Sequence, residues 1–172
     1  MQWYNDDGLL VRSGEDPTTK QPAEVRDNGG VKTLTVDFTY DSLPTFTADL
    51  DNDGTLDGFV AGPAFIPEGS YIKSATLVVT EDWATADSAD LTIGLYEADG
   101  TAVDADGIDV AIAATALDAG DIVECDGALV AANTKLVDAN GYVVAAIGTG
   151  AFTAGSARLV IEYITPTTLT TA

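Results

Sequence analysis

Asp49, Asp51, Asp53 and Asp57 form the sharpest chemical pattern in the chain, within Asp49-Leu50-Asp51-Asn52-Asp53-Gly54-Thr55-Leu56-Asp57-Gly58. Carboxylates at alternate positions, with glycine at the sixth place for the tight turn, let one loop wrap a hard cation such as Ca2+. Thr55 would add its carbonyl oxygen, and Asp57 would bind directly or through a water. A full EF-hand ends in a bidentate glutamate at the twelfth place, where Val60 stands here. The competing reading is a solvated acidic turn, which an Asp-rich chain makes without any ion. No cofactor is required on either reading. If calcium is the occupant, the melting temperature rises in millimolar Ca2+ and falls in EDTA. An identical melt in both would remove the site.

The other reactive groups offer little catalysis. Cys125 is the single cysteine and the chain has no histidine, so Ser-His-Asp and Cys-His catalysis, imidazole metal sites and intrachain disulfides are excluded. Cys125 has no Lys or Arg close by in sequence to stabilise a thiolate, and reads as a plain, partly buried thiol. A second acidic cluster, Asp99, Asp104, Asp106 and Asp109, matches no metal loop, and turns and helix capping account for it. Carboxylate pairs suited to glycoside hydrolysis arise by chance among 28 acids and carry no information. Nucleophile-elbow, P-loop and dinucleotide-fold patterns are lacking. The reading is a protein that is not an enzyme.

Charge narrows the partners. Seven Lys and Arg stand against 28 Asp and Glu, a formal net charge of −21. Phosphate recognition needs a basic footprint that is missing here, so neither nucleic acid nor an anionic membrane surface is expected as partner. The chain has no run of roughly 18 apolar residues to span a bilayer. Its start, Met1–Asp7, lacks the basic region and apolar run of a secretory signal.

Aromatic residues are the better candidates for recognition. Trp3, Tyr4, Leu9, Leu10 and Val11, followed by Arg12, form an apolar cluster near the N-terminus that needs something to pack on, and we read them as partner-binding residues. Trp83 directly follows a strand pattern and reads as a cap on the core rather than an interface anchor.

The elements that must position these groups are strands. Of the 28 acids 21 are Asp, and 17 Gly and 22 Thr accompany them, a composition of short strands and many turns. In 172 residues one core can bury roughly 70% of the unfolded surface. Residues 1–30 lack periodicity and read as an N-terminal arm, either extended over or away from the body or contributing an edge strand and loop. Residues 31–172 form the body. Within it, Thr33–Tyr40 alternates strictly, and Tyr71–Thr80, Asp90–Glu97, Asp121–Cys125, Thr134–Val137, Tyr142–Ile147 and Arg158–Ile164 carry strand signals. Ile108–Leu117 is alanine-rich with Ile108, Ile112 and Ala116 at a spacing of four, which predicts one short helix between Asp106 and Gly120. The fold expected is an all-β, antiparallel two-sheet sandwich, jelly-roll-like because the long Asp41–Pro67 connection suits that topology.

Several segments also carry a resemblance. Trp3–Arg12 with Gly14 resembles the start of small virion proteins of tailed bacteriophages, notably marine and cyanobacterial viruses. Phe65–Ile72, Ala75–Val79, Leu91–Tyr96, Asp104–Asp109 and Phe152–Val160 are similar to that family's later segments. The resemblance implies a capsid decoration (cement) protein, made in the host cytoplasm and placed on the outer surface of the head. It would bind the major capsid protein, stabilise the shell and form a homo-oligomer, with a trimer about a threefold axis favoured. A charge of −21 suits an outer surface, since packaged DNA would repel it. The alternative is a tail- or fibre-associated adhesive or carbohydrate-binding module. There the Asp49–Asp57 loop, which resembles the short calcium loops of dockerin-like and thrombospondin-like repeats, would hold Ca2+ and organise the binding site.

Overall fold

The computed structural model describes residues 2–4, 10–15, 22–28, 30–44, 64–86, 88–131, 136–148 and 150–165. Alternation shapes the first body strand. In β4 (Val31–Thr39) Leu34, Val36 and Phe38 are buried, while Thr33, Thr35 and Asp37 between them stay partly exposed. That is what a period of two does to a strand with one face on a core. β6 (Tyr71–Thr85) turns Ile72, Ala75, Leu77, Val79 and Trp83 inward, and β11 (Phe152–Ile164) contributes Ala157, Leu159, Ile161 and Tyr163. From the facing layer come Leu91, Ile93 and Leu95 of β7 (Asp90–Tyr96), and Val143 and Ala145 of β10 (Gly141–Ile147). Each fully buried Leu or Ile is worth about 1.5–3 kcal/mol, against about 0–1 kcal/mol for a surface ion pair, so packing between the layers holds the fold.

The strand pairing is that of a jelly roll. The remaining body strands are β5 (Phe65–Ile66), β8 (Ala102–Ala113) and β9 (Ile122–Glu124). From β4 to β11, the first strand pairs with the last, β5 with β10, β6 with β9, and β7 with β8, all antiparallel. The eight strands are therefore one long hairpin, rolled so that β11 also pairs with β6 and β10 with β7. Rolling splits them into two sheets, β4-β11-β6-β9 and β5-β10-β7-β8. This is the all-β, two-sheet antiparallel sandwich expected from the sequence.

The described parts of 1–30 are strands of the larger sheet. β1 (Gln2–Tyr4), β2 (Leu10–Glu15) and β3 (Pro22–Asn28) run as a meander, with β3 on β4, and bring that sheet to seven strands, β1 outermost.

The helix expected over 108–117 is a correction. Residues 102–113 are strand β8, 114–116 a single 3-10 turn, and the short α-helix is α1 (Ala128–Ala131) instead. A spacing of four fits two strand repeats as well as about one helical turn, so Ile108 and Ile112 could not decide between them. Tertiary pairing does: β8 lies along β7, with Leu91 opposite Ile112 and Ile93 opposite Asp109. The extra residue between these pairs makes a bulge, and Ala111 takes the left-handed conformation there, at φ 57°. Gly94 of β7 lets β8 approach, since a Cβ at that position would run into the Ala105 carbonyl. The expected strand at 134–137 is not formed by Leu136 and Val137, while Thr134 and Lys135 lie outside the described residues. The Val137 N–H donates to the Ser70 carbonyl (2.9 Å), and its carbonyl accepts from Gly69 (2.8 Å).

Candidate functional site

The N-terminal residues singled out for binding are brought together by strand register. β1 pairs with β2 so that Trp3 is opposite Val11, Tyr4 opposite Leu10, and Gln2 opposite Arg12. Five of the six, Trp3, Tyr4, Leu10, Val11 and Arg12, thus sit on two neighbouring strands at one rim of the seven-stranded sheet, while Leu9 lies outside the described residues. The calcium candidates Asp49, Asp51, Asp53 and Asp57 all lie outside the described residues.

Trp83 is only 4% exposed and belongs to the core. Its ring meets Phe152 (4.9 Å between centroids) and Phe38 (6.0 Å) edge to face, and its indole N–H donates to the Ser156 carbonyl (3.3 Å). Of the second acidic cluster, Asp99 closes the β7–β8 turn by accepting the Thr101 N–H (2.9 Å), which holds its carboxyl below the usual range. Among the described residues no three His, Cys, Asp or Glu side chains converge as a metal site.

Sequence reading missed one pair. Asp109 on β8 is only 4% exposed and accepts a hydrogen bond from the Cys125 thiol, also buried. Burial, and then the Asp109 charge, push the Cys125 thiol up to about 12. A thiol so placed stays protonated and is no nucleophile. Burial chiefly, and then the charge of Asp126, raise Asp109, against the Cys125 hydrogen bond and the backbone N–H groups of Asp126 and Val110. The available signal was an acid inside the apolar run Ile108–Ala116.

That pair has a pH consequence. A carboxyl raised on folding contributes stability that is full below its unfolded value and is lost as pH rises through the folded one. Asp109 therefore destabilises the fold at pH 7, and stability gains from it as pH falls toward the ordinary carboxylate range. Glu162, lowered by its hydrogen bond and ion pair with Lys73 (2.9 Å), works in the opposite sense, weakly because both groups are exposed. Asp109→Asn keeps an oxygen for the Cys125 thiol and removes the charge. Its melting temperature is expected to equal or exceed the parent's at pH 7 and to change less as pH is lowered from 7 toward the ordinary carboxylate range. Melts with the parent's pH slope would show that Asp109 does not titrate in that window.

No protein-family model and no curated protein sequence matches the chain. Solved structures do. The fold is similar to that of a chain in the cyanophage Pam1 capsid asymmetric unit. That likeness covers 81% of this chain and 89% of the other at a TM-score of 0.52 and 19% identity. A chain of the Ralstonia phage GP4 capsid aligns over 82% of this chain and 88% of its own, with a TM-score of 0.47 and 18% identity. What is shared is the fold. It is shared along most of both chains, and not in one motif.

Proposed function

We propose that the chain is a non-enzymatic structural protein of a phage virion, bound to the major capsid protein on the outer face of the head and stabilising it as a decoration, or cement, protein. The observation that carries this reading is the fold likeness to a chain of the cyanophage Pam1 capsid asymmetric unit over most of both chains. Two features support it. The single thiol is buried and held protonated in a chain without histidine, so Cys-His and Ser-His chemistry has no support here. A charge of −21 suits solvent on the outside of a shell and is repelled by DNA within.

On this reading the rim formed by β1 and β2 is the anchor. Trp3, Tyr4, Leu10 and Val11 supply the apolar contact, with Arg12 beside them, and the sandwich stands outward and associates about a threefold axis. Antibody gold-labelling of purified particles, with copy number from quantitative gel staining, tests it. Dense label over the head with hundreds of copies is the expected result. A few copies at the tail would move the protein to adhesion, and no label with no immunoblot signal would end the virion reading.

A further inference from the structure

Ile122 is the most exposed large apolar side chain described, at 68%. It lies on β9, the edge of the large sheet opposite β1. Among the described strands β9 pairs only with β6, Val78 facing Ile122 and Thr76 facing Glu124. The Asp121 carbonyl and the Cys125 N–H point into that pairing, bonding Val79 N–H (2.9 Å) and the Ala75 carbonyl (3.0 Å). By the alternation of an antiparallel ladder, the backbone groups of Ile122 and Glu124 point outward, and no described strand takes them.

The surroundings say what could. Glu81, Asp82, Asp118, Asp121 and Glu124 are all exposed near this edge. Asp82 and Asp121 are partly used by the turn, accepting Ala119 N–H (2.6 Å) and Asp118 N–H (3.3 Å). In the row that ends on Ile122, the cation is Arg158, two strands away and already bonded twice to Asp37 (2.6 and 2.8 Å). Lys73 on β6 is bonded to Glu162. A second copy offers no match. Its own β9 would bring acid to acid, and its opposite edge strand, β1, is Gln2-Trp3-Tyr4, without a cation. The complement of an apolar edge ringed by acids is an extended segment with Lys or Arg flanking an apolar residue.

We propose that β9 accepts an extended segment of a basic partner protein as an added strand, an apolar side chain of that segment packing on Ile122, with Lys or Arg side chains two places from it lying over Glu124 on the same face and those one place from it facing Asp121. The proposal goes beyond the virion reading and does not depend on it, so its test needs no particle. The full chain, labelled with 15N, is titrated with a blocked peptide of Lys and Val in which Lys stands both one and two places from a central Val, and with its Glu and Val counterpart. The Lys peptide is expected to shift the Ile122 and Glu124 amides and protect them from exchange. It should weaken about tenfold or more between roughly 0.01 M and 0.15 M salt, as screening shortens, while the Glu peptide does neither. Ile122→Glu, at a 68% exposed position and with its melt recorded beside the parent's, is expected to lose at least about tenfold in affinity. Ile122→Thr serves as a smaller change on a strand-compatible residue. No shift at β9, shifts spread over the acidic loops, or the parent's affinity retained in both variants would overturn the proposal.

Discussion

Deleting residues 1–30 is expected to abolish head binding while leaving a folded body. If Trp3 and Tyr4 are the buried anchors of the contact, each contributes about 2 kcal/mol or more. At 1.4 kcal/mol per factor of ten, their joint loss weakens binding by roughly 700-fold or more. The body should survive because the jelly-roll wrap, from β4 to β11, is complete without them, and among the described residues the meander joins it by the pairing of β3 with β4. The cost appears elsewhere. Without β3, the backbone along β4 becomes a nine-residue open edge, and such edges recruit other chains. The deleted chain should therefore melt cooperatively yet associate more at high concentration, which sedimentation measures beside head pull-down. Binding as tight as the parent's would move the anchor away from the β1–β2 rim. A chain that no longer folds would make the meander part of the body, and Trp3→Ala with Tyr4→Ala in the full chain would then carry the binding test.

Gly155→Ala is expected to cost about 4 kcal/mol of stability. Gly155 sits at φ +135°, and a Cβ there would lie 2.5 Å from the Trp83 ring. The first term is backbone strain of about 1–3 kcal/mol in a region that only glycine enters easily. The second is overpacking of about 1–3 kcal/mol against a ring held by Phe38 and Phe152. For a chain of this length, that sum lowers the melting temperature by roughly 8–16 °C. A double-mutant cycle separates the terms. In a Trp83→Leu background the clash is gone and the strain remains, so the added cost of Gly155→Ala should fall to about half. An equal cost in both backgrounds would assign the whole effect to the backbone.

Strands were legible wherever one face meets a core and the other meets water. Alternation in 33–40 marked β4 to within two residues at its start and one at its end, and strand patterns marked β6, β7, β10 and β11, because a period of two is a local property of the chain. Trp83 was also readable: a large apolar side chain at the end of a strand pattern has few places to go but the core. The reading ran out where two periods coincide. Ile108 and Ile112, four apart, satisfy a helix and a strand alike, and pairing with β7 made the choice. For 134–137 the apolar signal of Leu136 and Val137 was real, since Val137 is buried. Its backbone bonds go to Gly69 and Ser70, which no local pattern foretells.

The sequence alone determined the class of fold, a charge that disfavours nucleic acid, and the want of an imidazole or a disulfide. These follow from composition and short-range period, which do not depend on what folds against what. Only the tertiary structure decided that 2–4, 10–15 and 22–28 are strands of the larger sheet, with Trp3 opposite Val11. Only it set the Cys125 thiol against Asp109, and left Ile122 on an open edge ringed by acids. Each of these joins residues distant in the chain, and register across strands is chosen by the whole set of buried side chains at once, not by any segment of it.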